Sequence, residues 1–126
     1  MKGLKDAAQG LLTKAKHDLH AADTVLPTNE ALDVVLFHAQ QAVEKSLKSL
    51  LILKGINYPL THDVDELLEL ALPDYPQLGV FAPETDLLGT YSVAGRYDHQ
   101  VYPSLEEARA GLALAHRVYE YAIQQL

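Results

Sequence analysis

The chain has 126 residues, a length typical of a single globular domain, and 48% of them are hydrophobic. Its 10 Lys and Arg stand against 17 Asp and Glu, and the net charge of −7 argues against broad, sequence-independent binding to nucleic acid. The absence of cysteine excludes disulfides, thiolate nucleophiles and cysteine-bound metals. No apolar run has the length of a membrane span or the form of a signal peptide, so we expect one cytoplasmic domain over residues 1–126.

Two amphipathic helices are predicted in the first half of the chain. Apolar residues at helical spacing predict the first over residues 3–23. Asn29 is a suitable N-cap for a long second helix from Glu30 to Lys54, and Gly55 is a suitable C-cap. The first helix is expected to bury Ala8, Leu11, Ala15, Leu19 and Ala22, and the second Leu32, Val35, Leu36, Ala39, Val43, Leu47, Leu50 and Leu53.

A third helix is predicted after Thr61, which is a suitable cap, and Pro73 should end it. Its apolar face comprises Val64, Leu67, Leu68 and Ala71. The proline-rich residues 73–83 are expected to form a loop, followed by a shorter helix from Glu84 to Gly95.

The last helix is predicted to follow an irregular aromatic loop over residues 96–103. Ser104 and Glu107 have the spacing of a capping box, in which each side chain binds the other residue's backbone N–H. The expected core stripe of this helix is Leu105, Ala108, Leu112, Ala115, Tyr119, Ile123 and Leu126. These elements together predict an all-α fold.

Three strings resemble those of the HEPN family. The second helix contains QQAVEKSLKSL at residues 40–50, Thr61-His62-Asp63 precedes the third, and Ala94-Gly95-Arg96-Tyr97 follows later in the chain. Their order and spacing are similar to those of HEPN domains from about residue 5 to residue 125.

The resemblance implies an up-and-down bundle of four or five helices that forms a homodimer. It also implies pairing with a minimal nucleotidyltransferase in a toxin–antitoxin type of system. Some members of the family are metal-independent ribonucleases, whose signature is an Arg followed after four to six residues by a His. Others bind nucleotides, RNA or partner proteins without chemistry.

Two Arg and His pairs are candidates for ribonuclease catalysis, in which His moves protons and Arg stabilises the charged phosphate. Arg96 is followed by His99 after only two residues, so this loop departs from the signature. Arg109 and His116 have six residues between them and lie on one helix face. The alternatives are an exposed loop histidine at His99, a partly buried helix histidine at His116, and pairing of Arg109 with a nearby Glu.

A nucleotide or RNA site is the other candidate. His38, Gln41, Lys45 and Lys48 recur at i, i+3, i+7 and i+10 on the second helix, opposite its core stripe. The resemblance adds Arg96 and Tyr97. Tyr91, Tyr97 and Tyr102 around Arg96 would suit base stacking, and the alternative is that they close the end of the bundle with their hydroxyls outward. The alternative for the helical residues is a dimer interface or a solvated face on which Glu44 pairs with Lys48.

No cofactor is expected. His17, His20 and Asp23 have helical spacing, but the sequence contains no Glu-x-x-His pair of the kind that di-iron bundles use, so we also expect no metal site. Two functions remain open. One is a homodimeric module that binds nucleotide or RNA and docks a nucleotidyltransferase, and the other is a ribonuclease toxin using Arg96 or Arg109 with His99 or His116.

Overall fold

The computed structural model describes residues 3–89 and 102–126. Over these ranges the chain contains α-helices and short 3₁₀-helices and has no strand, which confirms the predicted all-α class. The α-helices are α1 (Leu4–Val25), α2 (Leu32–Leu53), α3 (Val64–Ala71), α4 (Asp86–Gly89) and α5 (Leu105–Gln124). None of the helices described is long and apolar enough to cross a membrane.

Helix α2 is the centre of the bundle and contacts all four other helices. It is antiparallel to α1, because Asp18 late in α1 binds His38 early in α2, whereas Leu4 lies beside Gly55. It is parallel to α5, because the Leu32 N–H donates to the Tyr102 hydroxyl at the start of both helices. Helix α5 is therefore antiparallel to α1.

The start of α2 differs from the prediction. The helix begins at Leu32 rather than Glu30, and Asn29 is not its cap. Asn29 and Ala31 both have left-handed backbones, with φ of 55° and 51°, because the chain turns through a 3₁₀-helix (Leu26–Thr28) before it enters α2. The capping prediction relied on residue type, which does not reveal this extra turn.

The end of α2 is as predicted. Gly55 follows the helix with φ of 70°, and its N–H donates to the Ile52 carbonyl at 2.8 Å. The Ile56 N–H donates to the Leu51 carbonyl at 2.9 Å. These two bonds form a Schellman motif, in which the left-handed position favours glycine.

At the start of α5 the predicted cap is confirmed, and at the start of α3 it is wrong. The Ser104 and Glu107 capping box is present at α5. At α3, however, the cap is Asp63, whose Oδ1 accepts hydrogen bonds from the N–H groups of Asp65 and Glu66. The Thr61 hydroxyl accepts from the Asp63 N–H in the preceding turn, at 3.0 Å.

Residues 72–89, which follow α3, contain more helix than predicted. The expected loop contains a 3₁₀-helix (Pro76–Glu84), whose Leu78 and Phe81 side chains are buried. The predicted helix from Glu84 to Gly95 begins two residues later, as α4 at Asp86–Gly89, because Glu84 ends the 3₁₀-helix and Thr85 is a turn residue. Residues 90–95 lie outside the described residues.

The core follows the predicted stripes, with three local shifts. In α2 every stripe residue is buried except Leu53, which is half-buried. In α1 the buried residue is Leu12 rather than Leu11. In α5, Leu105 and Leu126 are half-buried, and Val118 and Ala122 face the core where Tyr119 and Ile123 were expected.

Candidate functional site

The four polar residues predicted on α2 lie together along one side of the helix and are all half-buried. We call this set, His38, Gln41, Lys45 and Lys48, the α2 ridge. Its ionic groups are held by two carboxylates, one from α1 and one from α2 itself.

Asp18 of α1 holds the first half of the α2 ridge. Its Oδ1 accepts from Nδ1 of His38 at 2.8 Å, and its Oδ2 lies 2.5 Å from Nζ of Lys45. Asp18 is 8% exposed, so the carboxylate is largely removed from water. A carboxylate buried to this degree requires partners of this kind to offset its lost hydration.

Glu44 holds the second half and is 4% exposed. Its Oε2 accepts from Nζ of Lys48 at 2.9 Å, and its Oε1 accepts from Nδ1 of His62, in the turn before α3, at 2.9 Å. The pairing of Glu44 with Lys48, foreseen as the alternative to a binding role, is therefore present.

A buried amide completes this half of the network. The Gln40 side chain is fully buried, and its Nε2 donates to the His62 carbonyl at 2.9 Å and to Glu44 at 3.4 Å. Nε2 of Gln41 donates to Oε1 of Gln40 at 2.9 Å. The network fixes the orientation of Gln41 and ties α2 to the turn before α3.

The charges of the α2 ridge are matched, with one ammonium for each carboxylate. Each carboxylate is shared by one ammonium and one imidazole, so the four permanent charges cancel when both histidines are neutral. An ammonium has three donors, and Lys45 and Lys48 each direct one to a carboxylate. The arrangement suits local hydrogen bonding to an anion better than broad electrostatic attraction.

Sequence reasoning missed three members of this network as functional candidates: Asp18, Gln40 and His62. Asp18 stands among the apolar residues Ala15, Leu19 and Ala22, and a carboxylate beside a core stripe was a signal that it needed a partner. His62 belongs to the Thr61-His62-Asp63 string, but its contact with Glu44 depends on tertiary structure.

The second predicted pair, Arg109 and His116, lies on α5. Nε2 of His116 lies 2.8 and 3.1 Å from the two carboxylate oxygens of Asp23 in α1. A carboxylate accepts hydrogen bonds, so Nε2 carries the proton and Nδ1 is the nitrogen left for other contacts. The half-buried state expected for His116 is observed.

Arg109 is exposed and forms no ion pair with any residue in the described ranges, so the pairing with a nearby Glu, given as the alternative to catalysis, is absent there. It lies seven positions before His116, or about 10 Å away along the helix axis. The two side chains therefore share a face without being brought into direct contact.

The remaining predicted residues, Arg96, Tyr97 and His99, lie outside the described residues, as does Tyr91. Tyr102 is exposed, and its hydroxyl accepts from the Leu32 N–H at 3.1 Å. Within residues 3–89 and 102–126, no three His, Asp or Glu side chains form a group that could hold a metal ion.

Comparison with known proteins gives the family. The model of the HEPN domain matches residues 8–126, nearly the whole chain. The chain therefore belongs to the HEPN family, as the three sequence strings predicted.

One similar protein comes from Methanocaldococcus jannaschii and carries the name "Putative toxin MJ1304". The two are 45% identical over 49 residues, which is 39% of this chain and 32% of the relative. The chain thus aligns with about a third of the relative's length. No solved structure matches the chain.

Proposed function

We propose that this chain is the toxin-like HEPN module of a two-component system, binding a nucleotide or an RNA segment on the α2 ridge as a homodimer. Membership of the family and the name of the M. jannaschii relative support the toxin-like role. Pairing with a minimal nucleotidyltransferase follows from the family resemblance.

The observation that carries the binding role is the anchoring of Lys45 and Lys48. Both ammonium groups are half-buried and fixed by carboxylates, so they lose little side-chain entropy when a phosphate binds. Their remaining donors, together with the amide of Gln41, provide hydrogen bonds for phosphate and base edges.

The homodimer is supported by the apolar residues beside the α2 ridge. Val34, Phe37 and Ile52 are half-buried on the same side of α2. A second copy packed over this side would bury them further and would enclose a ligand between two ridges.

Binding is tested with a fluorescently labelled single-stranded RNA by anisotropy. Replacing Lys45 and Lys48 together by Gln should weaken binding by about tenfold or more, because two charge-assisted hydrogen bonds are lost. Lys14→Gln is the matched control, since Lys14 is an exposed residue of α1 without an ion pair to a described residue. Equal affinities for the control and the double variant would refute an RNA site on the α2 ridge.

The dimer is tested by light scattering at micromolar concentration. Ile52→Asp should shift the population to monomers by placing a carboxylate in the interface. Val80→Asp is the control, because Val80 is 62% exposed on the 3₁₀-helix (Pro76–Glu84). A monomeric native protein would contradict the dimer.

The two-component role is tested in growing cells. Expression of the chain alone should slow growth, and coexpression with a minimal nucleotidyltransferase encoded beside it should restore growth. Unimpaired growth at verified expression would contradict the toxin-like role.

The second candidate is a ribonuclease, and the contact between Asp23 and His116 favours it. A carboxylate that fixes the imidazole leaves Nδ1 available for proton transfer, while Arg109 on the same face offers a guanidinium to phosphate. The native protein should then cleave total RNA without added metal. His116→Ala or Arg109→Ala should abolish this cleavage. If the loop over residues 96–103 supplies the catalytic pair instead, Arg96→Ala or His99→Ala should abolish it. No cleavage by the native protein would remove this candidate.

A further inference from the structure

The two histidines of the α2 network are bound to carboxylates through the same ring atom. Nδ1 of His38 lies 2.8 Å from Oδ1 of Asp18, and Nδ1 of His62 lies 2.9 Å from Oε1 of Glu44. An ionised carboxylate only accepts hydrogen bonds, so Nδ1 carries a proton in both rings. Nε2 is therefore the atom at which each ring gains or loses a proton.

Both Nε2 atoms are available to a ligand. Neither has a hydrogen bond to a residue in the part of the chain that the structure describes. The side chains of His38 and His62 are 29% and 57% exposed, so both rings remain in contact with solvent. In a neutral ring Nε2 accepts a hydrogen bond, and protonation turns it into a cationic donor, which suits a phosphate oxygen.

His38 belongs to a cluster of charged groups from two helices. In the described ranges it faces Asp18 of α1 and, bound to the same carboxylate, Lys45 of α2. The Phe37 ring meets the imidazole edge-on, with the ring centroids 5.3 Å apart. The charges of Asp18 and Lys45 cancel, so a proton on His38 gives this cluster a net positive charge.

His62 belongs to a second cluster of the same composition. It faces Glu44 of α2, whose carboxylate also binds Lys48. Nζ of Lys48 lies over the Tyr58 ring, 5.3 Å from its centroid, and the neighbouring Asp63 carboxylate accepts from N–H groups at the start of α3. Glu44 and Lys48 cancel, so this cluster also becomes positive only when His62 gains a proton.

We propose that His38 and His62 make RNA binding on the α2 ridge dependent on pH, with the protonated form binding more tightly. This dependence rests on the proposed RNA site and adds its regulation. Histidine is the side chain that ordinarily changes charge between about pH 5 and 8, and two protons per chain turn a surface of cancelled charges into one that attracts phosphate. By linkage, a ligand that prefers the protonated form must take up protons as it binds.

The test measures the affinity of a fluorescently labelled oligouridylate without terminal phosphates, by anisotropy at about pH 8 and about pH 6. Its uracil and phosphodiester groups do not titrate in this range, so a dependence on pH comes from the protein. The native protein should bind about tenfold or more tightly at the lower pH, because charge-assisted hydrogen bonds are gained. Calorimetry in two buffers of different ionisation enthalpy should show a net uptake of protons on binding.

Matched variants assign the dependence to these two histidines. His38→Asn combined with His62→Asn keeps an amide donor near the position of Nδ1 but cannot gain a proton. Its affinities at the two pH values should agree within about threefold, because the remaining histidines act only through a screened field. His20→Gln is the control and should keep the native dependence, since His20 is exposed on α1 and its side chain has no partner in the described ranges.

The possible results separate the pH dependence from the RNA site itself. RNA binding with equal affinity at both pH values, or without proton uptake, refutes the pH dependence and leaves the RNA site standing. A native dependence on pH in the double Asn variant refutes the roles of His38 and His62. No binding at either pH refutes both the site and its regulation, and proton uptake by the native protein decides the matter even if the double variant fails to fold.

Discussion

Gly111 lies where α5 packs against Leu36 of α2. A Cβ atom at this position would collide with Cδ2 of Leu36 and would lie 3.3 Å from Cδ2 of Leu88. Both leucine side chains are fully buried, so neither can move aside without disturbing its neighbours. The absence of a side chain at Gly111 therefore sets the distance between the two helices.

We expect Gly111→Ala to lower the free energy of unfolding by about 1–3 kcal/mol, as overpacked cores usually do. Gly10→Ala is the matched control, because Gly10 is exposed in α1 and a Cβ there meets nothing within 4 Å. The control should stabilise by about 0.5–1 kcal/mol through helix propensity. Urea unfolding of both variants measures the difference in their free energies of unfolding. Equal stabilisation of the two variants would show that the Leu36 side chain can move aside at no cost.

Tyr75 predicts an alkaline limit to stability. Burial, followed by the charges of Asp74 and Tyr121, raises its pKa above the ordinary value near 10, and its hydroxyl donates to the Leu50 carbonyl at 3.3 Å. A raised pKa in the folded state means that the unfolded chain loses this proton first as the pH rises. The stabilisation is complete below about pH 10 and is lost above it.

Tyr75→Phe tests this linkage by thermal unfolding between neutral pH and about pH 11. At neutral pH the variant should be about 1 kcal/mol less stable, because the bond to Leu50 is lost. Above about pH 10 the difference in stability between the native protein and the variant should become smaller, because only the native Tyr75 has a proton to lose. If the stability of both proteins changed equally with pH, Tyr75 would not be the cause of the alkaline loss of stability.

At the scale of elements, α3 offers a direct comparison of the predicted cap with the observed one. Asp63→Ala should cost about 1 kcal/mol, because two N–H groups at the start of α3 lose their acceptor. Thr61→Ala should cost less than about 0.5 kcal/mol, because its hydroxyl accepts one bond in the turn. Chemical unfolding of the two variants measures both losses of stability. A larger loss for Thr61→Ala than for Asp63→Ala would show that Thr61 is the cap, as the sequence predicted.

Helix positions were predictable wherever apolar spacing extended over several turns. The first helix was predicted over residues 3–23 and spans Leu4–Val25, and the capping box at Ser104 placed the start of α5 correctly. The start of α2 was wrong because left-handed residues at Asn29 and Ala31 carry no reliable sequence signal. The 3₁₀-helix (Pro76–Glu84) was missed because prolines mark both loops and tight helices.

The displacement of the α5 stripe has a tertiary cause. A period of 100° per residue placed Tyr119 and Ile123 in the core, but α5 packs through Val118 and Ala122. These small side chains let the helix lie close to its neighbours. The rotation places Tyr119 and Ile123 in the lining of a shallow groove between α1 and α5, which the sequence did not reveal.

At the scale of the molecule, the balance of charges limits how salt affects RNA binding. The net charge is −7, and the α2 ridge offers two ammonium groups to phosphate. A ligand enclosed between the two ridges of a dimer meets four such groups, each already paired with a carboxylate. The logarithm of the binding constant should therefore fall with the logarithm of salt concentration with a slope no steeper than about −2.8 for single-stranded RNA. Anisotropy titrations from about 50 to 200 mM salt measure it, and a slope steeper than about −4 would indicate a wider basic surface.

The candidate site was predictable only in part. Helical spacing was sufficient to place His38, Gln41, Lys45 and Lys48 on one side of α2, and they lie there. The contact of Asp18 with this set depends on the register between α1 and α2, which a single sequence does not determine. The contact of Asp23 with His116, 93 residues apart, has the same origin.

The internal matching of charges on the α2 ridge also bears on association between proteins. Each partly covered ammonium already has its counter-ion in the same chain, Asp18 for Lys45 and Glu44 for Lys48. A protein surface that settles on this side of the helix would consequently have no net charge to neutralise. Uncharged, apolar protein surfaces can therefore associate with this side of α2 as readily as acidic ones.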